Sequence, residues 1–216
     1  MRIAVLGAGA LGTIIGGYLS AGGYDVELIA RTKAHVDALN HSGAKVSGTT
    51  NFSAPVKAVT PDELSGVYDL VLLLTKQLTN AAALQSILPF MNEDSVVCSL
   101  QNGIPEEDVA AIVGRQRVIA GSVEFGAELI GPGEALLTSE VQQVKKHAFQ
   151  IGELDGRLTE RIQRVQSILD VVGGTYVSDN LVGTKWSKLL INAAFSGLSA
   201  ALNGTYADVL DSDISA

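Results

Sequence analysis

Apolar residues fall along this chain in two rhythms. Unbroken apolar runs of strand length occupy residues 2–6, 69–74, 95–100 and 118–122, and a further strand is expected over 25–30. A run without polar alternation is what a parallel strand buried on both faces requires. Stretches with helical spacing lie between them, at 11–21, 34–41, 78–88 and 106–113. Strand and helix in regular alternation predict an α/β fold, a Rossmann-type doubly wound sheet. Two short alternating segments, 44–48 and 55–59, predict an antiparallel excursion. Pieces within 126–153, around Gly131-Pro132-Gly133, predict antiparallel strands closing the edge of the first domain. The pattern then becomes helical, over 158–172 and again over the longer, more apolar 179–202, which reads as the start of an all-α C-terminal domain. The division falls in the 173–179 region, within ten residues either way, giving domains 1–175 and 176–216.

Composition narrows the function classes. With 216 residues and a net charge of −8, the chain offers no basic face for nucleic acid. Its single cysteine, Cys98, sits inside an apolar run and reads as buried packing. One cysteine and three scattered histidines build neither a disulfide framework nor a metal site. A reducing, cytoplasmic setting follows. Residues 3–24 carry no charge, yet seven glycines fall within them, which suits a close-packed turn and helix rather than a signal peptide or membrane span. No targeting segment is expected.

The densest chemical signal is Gly7-Ala8-Gly9-Ala10-Leu11-Gly12, placed directly behind the first strand and opening the first helix. GxGxxG in that context is the phosphate-binding turn of a dinucleotide-binding βαβ unit. Gly7 makes the tight turn, Gly9 admits the pyrophosphate to the backbone, and Gly12 lets the helix approach the strand. The helix N-terminus directs free amides and a positive dipole end at the phosphates. Arg31 ends the second strand, roughly 20 residues on, where NAD-preferring sites carry an acidic residue. A guanidinium there can grip a 2′-phosphate, and Thr32 and Lys33 add a hydroxyl and a second cation. NADP(H) is therefore the expected cofactor over NAD(H), although a solvated arginine at a strand end remains the plain alternative.

Lys76 and Asn102 stand just beyond the C-terminal ends of two central strands, where open α/β sheets bind ligands. Each has an ordinary reading too, as a surface lysine and as an Asn-Gly turn. On the late helix Lys188, Asn192 and Ser196 recur every four residues as a polar stripe, with Lys185 near the same face. Burying an ammonium is costly unless it is paired, so the stripe should face solvent or a polar cleft. It is either a solvated helix face or a general acid with a substrate-orienting amide one turn away.

Taken together, the glycine turn at 7–12, Arg31, Thr75-Lys76, Gln101-Asn102-Gly103-Ile104 and Trp186-Ser187-Lys188-Leu189-Leu190-Ile191-Asn192 resemble the ketopantoate reductases, along the whole chain. The resemblance implies an NADP-dependent oxidoreductase that reduces 2-dehydropantoate to (R)-pantoate with NADPH, in pantothenate and coenzyme A biosynthesis. It implies Lys188 as the catalytic acid and Asn192 and Ser196 as substrate-binding residues. Asn102 would lie between nicotinamide ribose and substrate, Lys76 would bind cofactor, and Ala127 would lie near it. Ser196 stands where many members carry a second asparagine. Members continue into further helices that supply a serine and a carboxylate, so a truncated C-terminal helical domain is expected here, one through which members could form a homodimer. Two other functions fit the same residues: a reductase of another 2-keto acid or an opine-type imine, and a non-catalytic NADP-binding protein.

Overall fold

A computed structural model describes residues 1–210. In chain order its elements are β1 (Arg2–Leu6), α1 (Ala10–Ala21), β2 (Asp25–Ile29), α2 (Lys33–Ser42), β3 (Ala44–Gly48), β4 (Phe52–Ala54), β5 (Lys57–Val59), β6 (Tyr68–Leu73), α3 (Asn80–Ile87) and β7 (Met91–Ser99). There follow α4 (Glu106–Val113), β8 (Val118–Val123), β9 (Ala127–Gly131), β10 (Glu134–Leu137), α5 (Val141–Lys146), β11 (Phe149–Glu153), α6 (Glu160–Leu169), β12 (Thr175–Val177), α7 (Leu181–Leu202) and α8 (Tyr206–Leu210). Residues 211–216 of the expected 176–216 segment lie outside the described residues.

The main sheet runs β12-β11-β8-β7-β6-β1-β2-β5, parallel throughout except where β11 meets β8. Its strands are apolar on both faces because each face carries its own core. Along β1, Ile3 and Val5 point into a cluster with Ile14, Leu19, Ile162 and Val165, while Ala4 and Leu6 join Leu84, Ile87, Val109 and Val113 on the other side. All four β1 residues are at most 2% exposed, so the unbroken run at 2–6 is the imprint of two-sided burial. The expected Rossmann-type doubly wound sheet is present.

The antiparallel excursion is differently made. β3 pairs antiparallel with β4, whereas 57–59 joins the edge of the main sheet, parallel to β2. Lys57 there pairs with the buried carboxylate of Glu27, 2.5 Å away. The 126–153 region also splits. β9 and β10 form a hairpin that extends a second sheet, β4-β3-β10-β9, with β10 parallel to β3. Only β11 closes onto the main sheet antiparallel to β8, and β12 adds a further parallel strand. Short alternating segments look alike whichever partner they take, because partner choice depends on distant residues. No helix among the described residues is long and apolar enough to cross a membrane.

Candidate active site

The turn after β1 is shaped by backbone geometry. Gly7 has φ +106°, and a Cβ there would fall 2.6 Å from the backbone nitrogen of Thr75. At Gly12 a Cβ would lie 2.4 Å from the Gly7 carbonyl oxygen, so α1 can start this close to β1 only without a side chain. A Cβ at Gly9 would meet nothing within 4 Å and would project into open space. No side chain caps α1 and its first turn has no acidic residue, so the amides that begin the helix are left for an anion.

That space is a cavity of about 770 Å³ lined by Gly7, Ala8, Gly9, Arg31, Thr32, His35 and Lys76, with Leu129 and Ile130 of β9 on its far wall. Arg31 is exposed at the end of β2 and has no ion-pair partner among the described residues. A glycine cradle, uncapped helix amides and an unpaired guanidinium fit a dinucleotide. His35 braces this cavity: its Nδ1 accepts from the Gly133 amide at 3.0 Å, and its Nε2 lies 3.4 Å from Thr13 Oγ1.

A second cleft of about 710 Å³ shares Leu74, Thr75 and Lys76 with the first. Leu11, Gln101, Asn102, Glu124, Lys188, Asn192 and Tyr206 complete its working lining. α7 supplies Lys188 and Asn192 to it and starts at an Asn180 cap, whose side-chain oxygen accepts from the Gly183 amide at 3.1 Å. Lys188 then lies half-buried over the end of β8. It donates to Ser122 Oγ at 3.1 Å, to the Val123 carbonyl, and more loosely to Glu124 Oε1 at 3.5 Å. Asn192 follows one turn later.

Lys185 departs from the expected stripe. It is 3% exposed and sealed against the sheet, donating to Glu106, to the Gln101 carbonyl at 3.1 Å and to the Gly121 carbonyl at 3.0 Å. Full pairing is what makes that burial tolerable. Gln101 is itself locked: its amide nitrogen donates to Asn80 Oδ1 at 2.7 Å and to Thr75, and its oxygen accepts from Asn80 at 2.9 Å. This network holds the loop that carries the exposed Asn102.

Of the residues singled out from sequence, Gly7, Ala8, Gly9, Arg31 and Lys76 line the first cavity, and Leu11, Lys76, Asn102, Lys188 and Asn192 the second. Ala10, Gly12, Ala127 and Ser196 line neither. Ala10 and Gly12 belong to the first turn of α1, Ala127 begins β9 beside the lining residue Gly126, and Ser196 is exposed and hydrogen-bonds the Tyr206 hydroxyl. Glu124, Ser122, Tyr206 and His35 were not anticipated. Glu124 stands two residues past the apolar run 118–122, the same offset as Lys76 from 69–74 and Asn102 from 95–100.

A family model described as Ketopantoate reductase PanE/ApbA matches residues 3–156. The 2-dehydropantoate 2-reductase of Pyrococcus horikoshii is 34% identical over 215 residues, covering 99% of this chain and 68% of that protein. The structure of 2-dehydropantoate 2-reductase from Geobacter metallireducens GS-15 superposes with a TM-score of 0.87 at 32% identity, covering 100% of this chain and 70% of that one. D-mandelate dehydrogenase with NADH and anilino(oxo)acetate gives a TM-score of 0.84 at 26% identity, covering 94% and 65%. The chain spans between 63% and 68% of the length of the archaeal relatives it matches.

Proposed function

Because this chain belongs to the ketopantoate reductase family, we propose that it serves NADPH-dependent reduction of 2-dehydropantoate to (R)-pantoate, in pantothenate and coenzyme A biosynthesis. The observation that carries the reading is that the glycine-turn cavity and the cleft holding Lys188 adjoin, with Leu74, Thr75 and Lys76 lining both. A nucleotide seated on the turn would thus lie next to the cleft that holds the lysine.

The chain's own residues divide the work. The Gly7–Gly12 backbone and the α1 amides hold the pyrophosphate, and Arg31 grips the 2′-phosphate. Bound NADPH supplies the hydride. Lys188 polarises the C2 carbonyl and gives its oxygen a proton as negative charge develops there. All three Lys188 N–H bonds face acceptors of β8 and Glu124, so the substrate oxygen must take the place of one acceptor on β8. Asn192 and Asn102 orient the substrate, and Lys76 meets cofactor or the keto-acid carboxylate.

Residues 1–175 act in this reading as the NADP-binding domain and 176–216 as the first part of a helical domain for substrate and for homodimer contact. The window of that division includes the turn between β12 and α7. A cytoplasmic enzyme agrees with the free, buried Cys98. A second reading, reduction of another 2-keto acid, draws support from the likeness to D-mandelate dehydrogenase. The test is to offer the purified protein NADPH with 2-dehydropantoate, pyruvate and phenylglyoxylate in parallel, following NADPH absorbance. Turnover confined to 2-dehydropantoate supports the first reading and preference for phenylglyoxylate the second. No turnover with any of them refutes both.

A further inference from the structure

The cleft around Lys188 has three charged lining residues: Lys76, Lys188 and Glu124. Glu124 is thus its sole lining carboxylate among the described residues, and it is held in place. Its Oε1 accepts from Ser122 Oγ at 2.6 Å and lies 3.5 Å from the Lys188 ammonium. Its other oxygen has no hydrogen-bond partner among the described residues and is not sealed from solvent. While the ammonium keeps its contact with Glu124 and hydrogen-bonds a keto oxygen at about 3 Å, that oxygen lies within about 6.5 Å of the carboxylate.

From this geometry we infer that Glu124 is a specificity-determining residue, setting the cleft for 2-keto acids with one carboxylate. The inference rests on reading the cleft as a keto-acid site. A substrate's first carboxylate has Lys76 to meet. A second carboxylate, carried on the side chain, finds no further lining cation and meets Glu124 in a partly desolvated space, where like charges repel strongly. A hydroxyl in the side chain finds instead an acceptor in the free Glu124 oxygen. The favoured class is therefore a 2-keto acid with a neutral, hydrogen-bond-donating side chain, and the disfavoured class is the 2-keto dicarboxylate.

Two non-reducible isosteres of 2-keto acids separate the classes: oxamate, with one carboxylate, and N-oxalylglycine, with two. Calorimetry on the nucleotide-loaded protein should show oxamate binding at least about tenfold tighter. Glu124→Gln keeps an acceptor for Ser122 and removes the charge, so it should close that gap, and in parallel raise kcat/KM for 2-oxoglutarate relative to 2-dehydropantoate. Glu124→Asp keeps the charge and should keep the gap. An unchanged gap in Glu124→Gln, beside wild-type protein that binds oxamate and reduces 2-dehydropantoate, overturns the role of Glu124 alone. Wild-type protein that neither binds oxamate nor reduces any keto acid overturns the keto-acid reading and this inference with it.

Discussion

Lys185 and Glu106 form an ion pair sealed between α7 and the first turn of α4, with side chains only 2% and 3% exposed. Burial pushes the Glu106 carboxyl above its ordinary range and the Lys185 ammonium below its own, and each is opposed by the other's charge. Through the same ammonium, α7 is pinned to the Gln101 carbonyl, two residues beyond β7, and to the Gly121 carbonyl within β8. Lys188 is one turn further along, so the pair sets the height at which the second lysine enters the cleft.

Removing one partner should therefore cost more than removing both. Lys185→Met leaves the Glu106 carboxylate buried without its cation, and one of its oxygens already lacks a hydrogen bond. A loss of about 3–5 kcal/mol is expected in urea unfolding. Lys185→Met combined with Glu106→Leu should recover a good part of that loss. A double variant as unstable as the sum of the singles would show that the two residues act independently.

Lys188→Ala should lower kcat by about a hundred- to ten-thousand-fold, the usual worth of a positioned general acid. NADPH affinity, measured by fluorescence titration, should stay within about twofold, because the lysine contacts β8 and Glu124 rather than the glycine turn. A matching loss in cofactor affinity would move Lys188 from the chemistry to nucleotide binding.

Arg31 has no competing partner among the described residues and lies on the cavity wall beside Thr32. Arg31→Ala should raise KM for NADPH roughly ten- to hundredfold, the worth of a charge-assisted hydrogen-bonded pair, with KM for NADH nearly unchanged. Equal effects on the two nucleotides would contradict contact with the 2′-phosphate.

The sequence made the main sheet legible because two-sided burial writes continuous apolar runs, as at Ile3–Leu6 and at Leu70–Leu73. The glycine turn was equally plain, since Gly7 and Gly12 occupy places a Cβ would fill with a clash. What stayed hidden depended on distant pairing. Nothing local in Lys57-Ala58-Val59 says that it lies parallel to β2, or that Glu134–Leu137 lies parallel to β3. Burial of Lys185 was hidden for the same reason: helical spacing puts it near Lys188, but only the fold brings Glu106 from 79 residues away to meet it.

His35 should make stability fall in mild acid. Its Nδ1 accepts from the Gly133 amide at 3.0 Å, which requires a lone pair there and so a neutral ring with its proton on Nε2. Burial lowers the pKa below the ordinary 6.5, against the opposing pull of a hydrogen bond to the Ala8 backbone. The unfolded chain therefore binds the proton more readily than the folded one. Stability from this group is complete above pH 6.5 and is lost as pH falls below it toward the folded value, by at most about 1.4 kcal/mol per pH unit. Carboxylates also titrate on the way down, so the measurement is a difference: urea midpoints of wild type and His35→Gln from neutral pH downward. The glutamine does not titrate, and its curve should be the flatter of the two below pH 6.5. Parallel curves would mean that His35 takes up a proton in the fold as easily as outside it, and that the Gly133 bond does not hold the ring neutral.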